Sequence, residues 1–106
     1  MIIKYNIDID DSAIENSFKR LINQTYKLLP MREEGTDWTK PLNTLMEELS
    51  GIQRLFVGQQ PLFFSLLSKL EGLFTLTGKE DFMNYRRTIF ECLSLLSSLE
   101  ESVKNE

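Results

Sequence analysis

Phe82-Met83-Asn84-Tyr85-Arg86-Arg87-Thr88-Ile89-Phe90-Glu91-Cys92-Leu93-Ser94-Leu95-Leu96-Ser97-Ser98-Leu99-Glu100-Glu101-Ser102-Val103 is the stretch on which the fold turns. Phe82, Tyr85, Ile89, Cys92, Leu96, Leu99 and Val103 recur at three- and four-residue steps, a heptad line that places them on one helix face. Met83, Phe90 and Leu93 are read as widening that stripe. Thr77-Gly78-Lys79-Glu80 has the form of a capping box opening this helix. The charged tail from Glu100 onward is expected to fray.

Working back, Gln60-Pro61 opens an earlier helix, with proline in the first turn. Leu62, Phe63, Leu66, Leu67, Leu70, Leu73 and Phe74 fill an arc of roughly 140° on it, while Ser65, Ser68, Gly72 and Thr75 are small and lie opposite. Phe64 and Leu76 fall off the arc. Before that, Leu42, Leu45, Met46, Leu49, Ile52, Leu55 and Phe56 form a single stripe, with Thr39 as its N-cap, Pro41 in its first turn and Gly58 at its end. The first helix begins at Ser12-Ala13-Ile14-Glu15, a capping box. Ile14, Phe18, Leu21, Ile22, Thr25, Leu28 and Leu29 follow, and Pro30 is expected to end the helix near Leu29. Residues 30–39 then form the one substantial loop, where Gly35 offers a φ > 0 position.

At the start of the chain the period changes. Ile3, Tyr5, Ile7 and Ile9 alternate with Lys4, Asn6, Asp8 and Asp10, a strand pattern with no second strand to pair it. The sequence thus predicts a single domain over residues 1–106. It is all-α, an antiparallel four-helix bundle over residues 12–104, with a short extended or β-strand N-terminal arm at residues 1–10. A three-helix core with one helix docked on a second copy is the alternative.

Composition narrows function mainly by exclusion. There is no histidine, which removes the commonest general base and zinc ligand. Glu33-Glu34 and Glu47-Glu48 lack the Glu-x-x-His partners of a di-metal bundle. Asp8-Ile9-Asp10-Asp11-Ser12 begins like a calcium loop, but its sixth and twelfth positions are Ala13 and Lys19 rather than Gly and Glu. No cofactor and no metal are expected, and an enzyme is the weakest reading. One cysteine, Cys92, allows no internal disulfide. Neither a signal peptide nor a spanning helix is predicted, so a cytoplasmic location is expected, with no membrane partner. Sixteen acids against twelve bases give a net charge of -4, which argues against nucleic acid as a partner.

What remains is binding. Arg32-Glu33-Glu34-Gly35-Thr36-Asp37-Trp38 mixes both charges, a glycine and a large aromatic, as a recognition loop would. Trp38 also continues the second helix's stripe, which is the competing structural reading. The partner-binding candidates are Tyr5 and Ile7 on the arm, Arg32, Glu33, Glu34, Asp37 and Trp38 on the loop, and Phe64 on the third helix. Arg86-Arg87 is the only basic cluster on a helix, read as a solvated face or a contact to an acidic partner.

The stretch Tyr26-Lys27-Leu28-Leu29-Pro30-Met31-Arg32-Glu33-Glu34-Gly35, running on into Asp37-Trp38, resembles small orphan helical accessory proteins of phages and integrated mobile elements of Gram-positive bacteria. The resemblance implies an accessory that binds and inhibits or modulates a host protein, such as a defence nuclease. It carries over no functional residue. The expected function is therefore a non-enzymatic protein-binding module. The alternative is a homodimeric or homo-oligomeric scaffold, buried through the arm and the third helix.

Overall fold

The computed structural model describes residues 11–104. The arm at residues 1–10, with Tyr5 and Ile7, lies outside the described residues. Among them there are four α-helices and no strand: α1 (Asp11–Glu33), α2 (Thr39–Gln53), α3 (Gln60–Gly72) and α4 (Phe82–Lys104). Single 3₁₀ turns at Val57–Gln59, Leu73–Thr75 and Lys79–Asp81 link the last three. The chain is all-α.

The heptad line of α4 is the spine. Tyr85, Ile89, Cys92, Leu96, Leu99 and Val103 are all fully buried. α1 brings Ile14, Phe18, Leu21, Leu28 and Leu29 to the same core, α2 brings Leu42, Leu45 and Leu49, and α3 brings Phe63, Leu66 and Leu70. Removing one such side chain from water contributes about 1.5–3 kcal/mol, so these four stripes, not helix propensity, hold the helices together. α4 packs against both α1 and α3, and α2 also packs against both. The polar contacts fix which parts meet. Tyr85 at the start of α4 donates its hydroxyl to Leu28 O near the end of α1, at 3.3 Å. Arg20 and Gln24 of α1 reach Glu48 of α2, and Lys69 of α3 reaches Glu91 of α4 at 3.3 Å.

Several sequence expectations need correction. α1 is already helical at Asp11, before Ser12; Thr39 is the first residue of α2 rather than its N-cap; and the stretch from Glu100 stays helical to Lys104. Pro30 does not end α1, which continues to Glu33. Proline lacks the N–H that Tyr26 O would accept. Both residues are solvent-exposed, so water can serve that carbonyl. The actual stop is Gly35, at φ +77°, where Thr36 N–H donates to Met31 O (2.9 Å) and Gly35 N–H to Arg32 O (3.3 Å). This paired closure is a Schellman motif, which needs the left-handed residue that glycine supplies.

The capping box before α4 is displaced by one residue. Gly78 is the cap; its N–H donates to Asp81 Oδ2 (3.2 Å), while Asp81 N–H donates to Gly78 O (3.0 Å). Thr77 and Glu80 are not the pair that closes it. Finally, α2 ends at Gln53 rather than at Gly58. A pair of glutamines holds the turn that follows. Gln60 Nε2 donates to Gln53 O and Phe56 O, both at 3.1 Å, and Gln53 Nε2 donates to Gln60 Oε1 at 2.8 Å.

Candidate functional site

The predicted recognition loop divides in two. Arg32 and Trp38 turn inward and are half-buried. The Arg32 guanidinium donates through Nη2 to Leu76 O and Gly78 O, both at 2.8 Å, and through Nε to Leu76 O at 3.3 Å. It also lies 4.8 Å from the Tyr85 ring centre and 5.4 Å from that of Phe82. Trp38 meets Tyr85 edge-on at 5.1 Å and stacks on Phe74 at 6.3 Å. These four aromatic rings and one guanidinium close one end of the core. Burial pushes the Tyr85 hydroxyl well above its ordinary pKa, only partly offset by the Arg32 charge.

Glu33, Glu34 and Asp37 face solvent. Asp37, one residue before the α2 N-cap Trp38, ties down the first helical residue: its Oδ1 accepts the Thr39 hydroxyl at 2.6 Å and the Thr39 N–H at 3.0 Å. Those bonds, the hydroxyl first, hold its carboxyl below the usual range.

A different surface emerges where α1 meets α4. Four large hydrophobic side chains are exposed among the described residues: Tyr26 (54%), Phe64 (64%), Met83 (64%) and Phe90 (42%). Helical periodicity and the observed contacts put Tyr26 and Phe90 on the neighbouring edges of α1 and α4, with Met83 on the outer face of α4. On α1, Arg20 and Gln24 mark the edge toward α2, so Ile22, Tyr26 and Leu29 lie on the edge toward α4. On α4, Glu91 marks the edge toward α3, and Phe82, under Arg32 of α1, marks the other. Arg86 and Phe90 stand on that second edge, Met83 on the outer face beside it. Arg86 lies 5.4 Å from the Phe90 ring centre. Neither Arg86 nor Arg87 has an ion-pair partner among the described residues, because Glu91, four residues beyond Arg87, is engaged by Lys69.

Sequence reading missed this surface by assigning Met83 and Phe90 to the core stripe. The available signal was angular: both lie more than a right angle from the Tyr85–Val103 line at about 100° per residue. Phe64 stands apart from them, exposed on α3.

The remaining features offer little chemistry. A groove of about 650 Å³ between α2 and α3 is flanked by Glu47, Arg54 and Glu71, all exposed surface charges. Cys92 is fully buried, and burial pushes its thiol up to about 12. At neutral pH it is a small apolar core residue. Among the described residues, no group of three or more Cys, Asp and Glu side chains is placed to hold a metal, and no helix is long and apolar enough to cross a membrane. Compared with known proteins, the chain matches no family model, no curated protein and no solved structure.

Proposed function

We propose that this chain is a non-enzymatic protein-binding module, built as an antiparallel four-helix bundle, that acts through the exposed α1–α4 face. The supporting observation is the exposure of Tyr26 on α1 and of Met83 and Phe90 on α4, with Arg86 and Arg87 free of ion pairs among the described residues, on a chain whose net charge is -4. Exposed aromatics and arginines are the side chains that interfaces favour, and a patch of them is costly to leave in water without use. The chemistry they suit is an apolar strip flanked by carboxylates. Glu33, Glu34 and Asp37, exposed next to the closed end, would repel those carboxylates and so bound the partner's footprint on that side. The resemblance to mobile-element accessories favours a host or defence protein as the target.

Capture from a Gram-positive host extract, with the bound protein identified by mass spectrometry and then purified for titration, tests the reading. Tyr26→Ser with Phe90→Ser should lose the purified partner by at least tenfold and leave the fold intact. Equal binding by wild type and variant would remove the α1–α4 face from the function.

A further inference from the structure

The two ends of α1 are finished differently. At its C-terminal end, Arg32 and the rings around it seal the core. At its N-terminal end, beside the last turn of α2, an apolar pocket of about 50 Å³ opens between the two helices. Ile14, Ser17 and Phe18 of α1 line it, with Ile52 of α2 and Leu55 and Phe56 just beyond. Phe18 and Phe56 are buried, while Ser17, Ile52 and Leu55 are half-buried and form the rim. Ser17 is the one polar residue of the six, so the pocket suits an apolar side chain better than water.

The chain that joins α1 at this end is residues 1–10, and its sequence and its tether both fit the pocket. Ile7 and Ile9 stand at alternate positions, so an extended chain presents both on one side and Asp8 and Asp10 on the other. An extended residue advances about 3.3 Å and a helical one about 1.5 Å. Turned back at Asp11, the chain therefore brings Ile9 roughly level with Ile14 and Ile7 roughly level with Phe18. With Asp11 as the first helical residue, Ile9 and Ile14 also occupy the two positions of a hydrophobic staple, and Asp10 falls at the N-cap, where aspartate is preferred. A tether this short gives an effective concentration in the millimolar range, which a second copy or a foreign chain at micromolar concentration does not match.

We infer that the chain before α1 folds back and closes this pocket, with Ile9 on Ile14 and Ile7 on the rim formed by Ile52 and Leu55. The contact lies on the edge of α1 that faces α2, away from Tyr26 and Phe90, so it stands independently of the α1–α4 face. It gives Ile7 a partner within its own chain in place of the foreign one expected from the sequence.

The test is a pair of substitutions and their combination, followed by thermal unfolding in circular dichroism. Ile7→Ser should lower the midpoint by roughly 4 °C or more. Asp8→Ser, on the other side of an extended chain, should change it far less. In a Leu55→Ala background the rim is already cut back, and Ile7→Ser should then lower the midpoint by less than half as much. Should Leu55→Ala not fold, Ile52→Val serves the same comparison.

An Ile7→Ser protein that melts with wild type overturns the inference, as do shifts that add in full in the combined variant. A wild-type midpoint that falls on tenfold dilution, beside an Ile7→Ser midpoint that does not, also overturns it, because the occupant would then be a second copy's arm. Loss of a captured host protein in Ile7→Ser at an unchanged midpoint would return the arm to a foreign partner.

Discussion

Arg32 donates to two carbonyls of the α3–α4 connection and covers two aromatic rings, although it sits two residues after a proline in a stretch that reads as surface loop. Hydrogen bonds from a charged group contribute about 1.5–3 kcal/mol and a partly desolvated cation–π contact about 0.5–2 kcal/mol. Arg32→Ala is therefore expected to cost about 2–4 kcal/mol, read from the urea midpoint at unchanged slope. Arg32→Lys should recover only part of that, because an ammonium cannot serve two carbonyls and lie flat on a ring together. Nothing in Arg32-Glu33-Glu34 announces this role. Its partners, Leu76 O and Gly78 O, lie more than forty positions away and are backbone atoms. Trp38 was more legible, since its spacing of four from Leu42 already extended the α2 stripe.

Cys92 gives a second test at this scale. Its raised pKa means that the folded state holds the thiol proton more tightly than the unfolded chain, whose ordinary value is 9.0. The stabilisation is fully present below that value and is lost as pH rises from 9.0 toward about 12, at about 1.4 kcal/mol per pH unit. Unfolding midpoints followed against pH should fall in this window for wild type, and less steeply for Cys92→Ala. Thiol reagents should label Cys92 in denaturant and not in native buffer.

At the scale of elements, the four helices were readable because each carries an apolar stripe at helical spacing. Their ends were less so. Pro30 is a helix breaker by its chemistry, yet an exposed proline near a helix end breaks only one bond and can be tolerated. Gly35, with its left-handed φ, carries the stop instead. Gly51 tells the opposite story. It is exposed in α2, and a methyl group added there would meet nothing within 4 Å. Gly51→Ala should stabilise the protein by about 1 kcal/mol, visible as a higher thermal midpoint. A fall in that midpoint would contradict the open space around Gly51.

For the whole molecule, the dimensions of 46 × 22 × 18 Å describe a rod with charges distributed along its outside. Leu49→Asp, which would bury a carboxylate among fully enclosed leucines, is expected to abolish cooperative unfolding in calorimetry. The class of this rod was legible from periodicity. Its binding face was not, because a helix stripe read without its neighbours shows which residues are apolar but not which of them a second helix covers. Met83 and Phe90 were readable as surface from their angle on α4, but that Tyr26 of α1 borders the same side shows only once α1 stands beside α4.

That placement bears on how the chain is made. The helix with most to offer α1 is α4, the last of the four to leave a ribosome, and the Arg32 contacts to Leu76 and Gly78 span 44 and 46 residues. Until that distance is synthesised, the α1 core residues lack the cover that α4 gives them. A fragment ending at residue 75 should show little helix by circular dichroism and bind hydrophobic dyes. Added in trans, a peptide of residues 76–104 should restore the helix signal. Birth, for this protein, includes a stretch of exposure that lasts until α4 arrives.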